Sequence, residues 1–135
     1  IKRGLIDGTI DIIATDHAPH SAKEKKAGFK NAPFGITGLE TALPLSLKLV
    51  HDTKISLSNL ISLMSTRPSK IININRGSLK KGLDADLVIF DMNRKITIDK
   101  KTMYSKSKNT PFHGIKLKGK VIRTILKGKI VYSSI

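Results

Sequence analysis

Residues 10–15, "IDIIAT", form a short and almost wholly apolar run. No other stretch constrains the fold as much. A strand with one wet face alternates apolar and polar side chains. A strand apolar along its length is buried on both faces, as in a parallel sheet covered by helices. The rest of the sequence supplies no parallel neighbour for this strand. Residues 16–36 follow as a long loop with Pro19, Gly28, Pro33, Gly35 and the charged run "KEKK"; loops of that length in compact domains are usually functional or disordered. Residues 37–51 then read as a helix with apolar residues on most faces. Thr37 and Glu40 have the spacing of a capping box, and Pro44 inside predicts a kink. A second helix is predicted over 56–65, capped by Ser56, with Leu57, Leu60, Ile61 and Met64 as its buried stripe. Pro68 suits the first turn of a short third helix.

After Gly77 the texture changes. Residues 86–91, 95–98, 121–126 and 129–132 are short and rich in β-branched side chains, and Lys-Gly pairs at 118–119 and 127–128 read as tight turns. One parallel-type strand, then helices, then antiparallel β does not close as a unit. The expected class is α/β: the edge of a larger domain followed by most of a small β-sandwich. The chain begins at Ile1 rather than Met, which suggests a partial chain.

Composition excludes several classes. With no cysteine among 135 residues there are no disulfides and no thiolate metal sites. No apolar run approaches the roughly 20 residues of a membrane helix. Asp7 and Asp11 interrupt the N-terminal stretch, so it is not a signal peptide. A soluble, cytoplasmic protein is expected. The formal charge of +15 would suit a nucleic-acid partner. Yet 20 of the 25 basic residues are Lys and they are scattered, whereas base readout favours Arg and single-strand platforms need aromatics, here 4%. A solvated basic surface accounts for the charge, and no nucleic-acid partner is expected.

The chemistry-bearing stretch is "ATDHAPHS", residues 14–21. In parallel α/β folds reactive groups sit just past the carboxyl ends of strands. Asp16 is the first residue past this one. A carboxylate there can bind a divalent cation and also accept a proton. Taken alone, D-H-x-x-H reads first as a turn capped by Asp16 with His17 and His20 as polar loop residues. Two histidines three apart suit one metal only on a helix, and Pro19 argues against one. Pro33-Phe34-Gly35 taken alone reads as a plain turn with a buried phenylalanine. Asp84 and Asp86 read as turn and strand-edge residues.

The stretch "IDIIATDHAPHSAKEKKAGFKNAPFGITGLETALPLSL" resembles the segment that closes the barrel of bacterial-type (class I) dihydroorotases, in the amidohydrolase superfamily. "RPSKIININRGSLKKGLDADLVIFD" is similar to the exit from that barrel, and "YSKSKNTPFHGIKLKGKVIRTILKGKIVY" to the family's C-terminus. The resemblance implies that residues 1–75 are the end of a TIM-like (β/α)8 amidohydrolase barrel, its last strand and following helices. Residues 76–135 would be most of the small β-sandwich. It implies reversible cyclisation of N-carbamoyl-L-aspartate to L-dihydroorotate in pyrimidine synthesis, with zinc polarising the carbonyl under attack. It assigns Asp16 as metal ligand and catalytic base or acid, His20 to the substrate carboxylate, and Phe34 and Gly35 to the ring's polar edge through backbone groups.

The family's H-x-H pair and its other metal ligands have no counterpart in this sequence, so the missing N-terminal barrel portion would carry them. The expected partners are the small-molecule substrate, that missing portion and a second copy in a homodimer, without membrane or nucleic acid. Alternatives are a non-catalytic dihydroorotase-like partner of another pyrimidine-pathway enzyme and an allantoinase- or hydantoinase-like amidohydrolase. Since a tight zinc site takes three or four protein ligands, the 135-residue chain by itself is expected to be inactive. Purified chain with added zinc should give no turnover of carbamoyl-aspartate, and clear turnover would overturn that expectation.

Overall fold

A helix with apolar residues on most faces must be buried on most sides. The computed structural model, which describes residues 1–53 and 55–134, meets that demand with helix α3 (Leu39–Asp52). Its Thr41, Pro44, Ser46 and Leu47 are buried. Leu47 is fully covered and joins Leu5, Ile55, Leu60 and Leu63 in one core. Leu45 packs instead against Ile98, Met103 and Leu117 in a second core. Around α3 lie α1 (Lys2–Asp7), α2 (Ala22–Lys25), α4 (Leu57–Ile61) and α5 (Arg67–Ile71), then β1 (Leu87–Thr97), β2 (Lys116–Leu126) and β3 (Lys129–Ser133).

Several local expectations hold. The Ser56 hydroxyl accepts from the Asn59 N–H at 3.1 Å and caps α4. Pro68 occupies the first turn of α5. The helix predicted around Pro44 forms, spanning Leu39–Asp52. Other expectations fail for identifiable reasons. Gly38 is the N-cap of α3, and the predicted Thr37–Glu40 box does not form. Thr37 Oγ1 donates to the Asn109 carbonyl at 3.2 Å, and Glu40 Oε1 accepts from the Tyr104 and Ser105 N–H groups at 2.6 and 2.9 Å. Partners distant in sequence thus take both halves of the box. The second and third helices form one helical run bridged by a π-helical turn, Ser62–Thr66. Leu63, rather than Ile61, completes its buried stripe; Ile61 is 45% exposed.

Residues 10–15 do not form the expected strand. A strand exists only where a neighbour takes its backbone groups, and here the Ile13 N–H goes to the Leu63 carbonyl at 3.0 Å. The parallel contact that does form is one bridge, between His17 and Ile36.

The β-rich tail makes one antiparallel sheet, ordered β1-β2-β3. The two predicted strands 86–91 and 95–98 are a single strand with a bulge. Register jumps between Asp91 and Lys95, and Asp91 Oδ1 gathers the N–H groups of Asn93 and Arg94 at 2.9 and 3.1 Å. An extra loop of chain at that point mimics a break in the sequence. A second sheet facing the first, which a sandwich needs, is absent among the described residues. Lys127-Gly128 is a tight turn as expected: both residues have positive φ, 48° and 77°, the geometry that matches strand twist in a two-residue hairpin.

Lys118-Gly119 is not a turn. It lies inside β2, with Gly119 buried at φ 115°. A Cβ there would stand 2.4 Å from Leu47 Cδ1. Leu47 has nowhere to retreat, so glycine is what lets the sheet reach α3. Gly119→Ala should therefore combine steric overlap with a disfavoured φ and cost at least about 2 kcal/mol. Denaturant unfolding of the two proteins checks this, and equal midpoints would contradict the close approach.

Candidate active site at the Asp16 loop

Asp16 is exposed and adopts φ 42°, left-handed backbone that few residues other than Gly, Asn and Asp accept readily. The next residue is anchored. The Nδ1 atom of His17 accepts from the Gly38 N–H at 3.0 Å and from the Leu39 N–H at 3.4 Å. These are orphan donors at the start of α3, so His17 supplies the cap that the local sequence does not. Accepting at Nδ1 places the proton of the neutral ring on Nε2. The two adjacent residues thus have separate tasks: His17 ties the loop to the helix and leaves Asp16 in solvent.

The "PFG" loop is held against the Asp16 loop by backbone. The Ala18 N–H donates to the Ile36 carbonyl at 3.0 Å. Gly35 sits at φ 115°, and a Cβ on it would fall 2.6 Å from Ala18 Cβ and 2.7 Å from Ala18 O. A Cβ on Gly38 would lie 3.0 Å from Thr15 Cβ. The loops therefore touch at two glycines, and Gly35 comes onto the residue two positions past Asp16. Phe34 is 91% exposed, which rules out the buried-phenylalanine alternative. His20 is half-buried. Beyond it Ser21 and Glu24 form a reciprocal capping box on α2. The Ser21 side chain, then its backbone N–H and the nearby His20, hold the Glu24 carboxyl below its usual value. Among the described residues no side-chain hydrogen bond engages Asp16, His20 or Phe34.

The loop also has supports that the sequence did not mark. The Lys25 ammonium donates to the Pro33 and Gly35 carbonyls at 2.7 and 3.1 Å. The Asn109 amide donates to the Gly35 carbonyl at 3.0 Å. Nothing in "KEKK" separates Lys25 from its neighbours, and Asn109 is 74 residues from Gly35. Asp84 and Asp86 are structural, as expected: Arg76 pairs with both at 2.7 and 3.0 Å, and Asp86 also accepts the Lys127 N–H.

The donor set does not fit a resident zinc ion. No group of three or more His, Asp or Glu able to share a cation occurs among the described residues, and a tight zinc site takes three or four protein ligands. A cleft of about 680 Å³ is lined by Lys48, His51, Asp52 and the ends of β1 and β2, and includes none of Asp16, His20, Phe34 or Gly35.

The amidohydrolase family model matches residues 1–131. The chain belongs to the amidohydrolase family. It is 55% identical over 129 residues to the dihydroorotase of Anaplasma phagocytophilum and 52% identical over 132 residues to that of Ehrlichia canis, covering 96% and 98% of this chain. It spans only 29% and 30% of those relatives' lengths. Among solved structures, L-hydantoinase (dihydropyrimidinase) from Arthrobacter aurescens superposes with a TM-score of 0.90 at 33% identity, over 98% of this chain and 31% of that one. Dihydropyrimidinase from Brevibacillus agri gives a TM-score of 0.92 at 27% identity, over 98% and 30%. No helix among the described residues is long and apolar enough to cross a membrane.

The cap in this amidohydrolase segment is directly testable. His17→Ala should lower stability by about 1 kcal/mol, the usual cost of a lost cap. His17→Asn places an acceptor oxygen where Nδ1 stood and should recover most of it. Thermal unfolding of both variants checks the pair; equal losses would exclude the capping role.

Proposed function

We propose that this chain is the C-terminal part of a dihydroorotase, a cytoplasmic enzyme of pyrimidine synthesis that interconverts N-carbamoyl-L-aspartate and L-dihydroorotate. The observation that carries the reading is the backbone seam between the Asp16 loop and the Phe34-Gly35 loop, which packs Gly35 against Ala18, two residues past the exposed Asp16. The names and high identities of the relatives support the substrate. In this reading residues 1–75 end a TIM-like barrel and residues 76–135 contribute to a β-sandwich. Solved neighbours three times longer support that placement, and so does a 10–15 segment with no sheet partner here. Zinc, with Asp16 as one ligand, would belong to the complete protein.

Asp16 would take a proton from the attacking water in hydrolysis and deliver one to the leaving amide nitrogen; ring closure reverses both transfers. His20 would meet the substrate carboxylate. The Gly35 carbonyl already accepts from Lys25 and Asn109, so the loop's offering to a cyclic ureide is the Gly35 N–H and the Phe34 backbone. Those groups match the alternating carbonyl and N–H of such a ring.

The hydantoinase folds favour a second reading, a hydantoinase-type hydrolase of another cyclic amide. Identities of 33% and 27% there, against 55% and 52% for the dihydroorotases, support the first. In the full-length protein, Asp16→Ala should reduce kcat by about 10²–10⁴, the usual share of general acid–base catalysis. His20→Ala should raise KM for dihydroorotate about tenfold with little change in kcat. Steady-state assays with dihydroorotate, and with hydantoin in parallel, check both; undiminished turnover by Asp16→Ala would remove the assignment.

A further inference from the structure

We propose that Asn109 and Lys25 are positioning residues for substrate binding, acting through the Gly35 carbonyl. The idea rests on the reading of Phe34 and Gly35 as substrate contacts and adds what holds them in place. Gly35 is in a conformation open mainly to glycine, φ 115°. Left to itself, such a residue samples many others. Three restraints oppose that freedom. The Asp16 loop presses on it through Ala18. Lys25 bridges the carbonyls of Pro33 and Gly35, on either side of Phe34. Asn109 closes the third side twice: its amide donates to the Gly35 carbonyl, and its own carbonyl accepts from the Thr37 N–H at 3.0 Å and the Thr37 hydroxyl at 3.2 Å.

Asn109 therefore spans residues 35 and 37 as a neighbouring strand would, with its side chain standing in for one backbone donor. Thr37 is 1% exposed, so this pairing is shielded from competing water. Asn109 is itself set by its N–H, which donates to Ser107 Oγ at 3.2 Å. The two donors on the Gly35 carbonyl fix the peptide plane between Gly35 and Ile36. With the bridge to Pro33, they fix the whole Phe34-Gly35 turn. Substrate affinity should then depend on a residue in the C-terminal segment and on a lysine from α2, neither of which touches substrate.

The test uses the full-length protein and three substitutions. Asn109→Ala deletes the donor but keeps both backbone contacts to Thr37. Asn109→Asp keeps the shape and sets an acceptor against the Gly35 carbonyl. Lys25→Met removes the other donor at a partly exposed site where folding is not in question. The expected result is a roughly tenfold rise in KM for both Asn109 variants and roughly threefold for Lys25→Met, with kcat within about threefold. Backbone amides of residues 34–37 should exchange with deuterium faster in each variant, a readout independent of turnover. Asp16→Ala, run alongside, separates the two claims. Should it lose turnover while Asn109→Ala and Lys25→Met keep the parental KM and exchange, the positioning role is wrong and the site reading survives. Should Asp16→Ala keep turnover, the site reading itself is wrong. If Asn109→Ala fails to fold, an unchanged KM in Lys25→Met still overturns the proposal, and a raised one supports it.

Discussion

The whole arrangement depends on α3 being held by close neighbours along its core face and at its N-terminus. Its core face meets β2 at Gly119, where no side chain fits above Leu47. Its N-terminus meets the Asp16 loop at Gly38, with His17 as the cap. Its first turn is held by Tyr104 and Ser105 through Glu40. A helix held at these points cannot rotate or slide without breaking contacts in both hydrophobic cores. Whatever hangs from its N-terminus inherits that rigidity. The Asp16 loop does so directly, and the Phe34-Gly35 loop does so through Ile36 and Thr37.

What the sequence revealed follows the range of the interaction. Local devices were legible where both partners lie within four residues: the Ser56 cap, Pro68 in a first helical turn, and the Lys127-Gly128 hairpin. Devices whose partners are distant were misread. Thr37 and Glu40 have capping-box spacing, but Asn109, Tyr104 and Ser105 claim them. The box that does form, Ser21 with Glu24, carries the same signature inside the charged run and caps the short helix α2. Lys118-Gly119 looked like Lys127-Gly128 because a glycine required for close packing and one required for a turn are the same letter. The site residues Asp16, His20, Phe34 and Gly35 were named from motif resemblance. Their mutual placement is a tertiary fact that no spacing rule contains.

The failure of residues 10–15 to form a strand is also physical. An apolar run predicts burial on both faces, yet burial and backbone pairing are separate requirements. Ile10 and Ile13 do pack against the Leu47 core, so the apolar pattern is answered. The ladder is not: among the described residues no strand pairs with 10–15. Val88, Ile89, Ile130 and Val131 remain between 47% and 58% exposed, more apolar strand surface than a finished sandwich leaves open.

Why place a structural histidine directly after the aspartate proposed as the acid–base group? A carboxylate that must exchange protons cannot also be tied up in protein hydrogen bonds, because each such bond stabilises one charge state. Its position must then be fixed by its neighbours rather than by its own contacts. The Asp16 loop satisfies both conditions. His17 spends its lone pair on the helix, Ala18 spends its N–H on Ile36, and the left-handed turn at Asp16 keeps that residue out of either bond. Strain in the Asp16 backbone is thus offset one and two residues downstream. On the proposed reading, anchoring falls to His17 and reactivity to the adjacent Asp16.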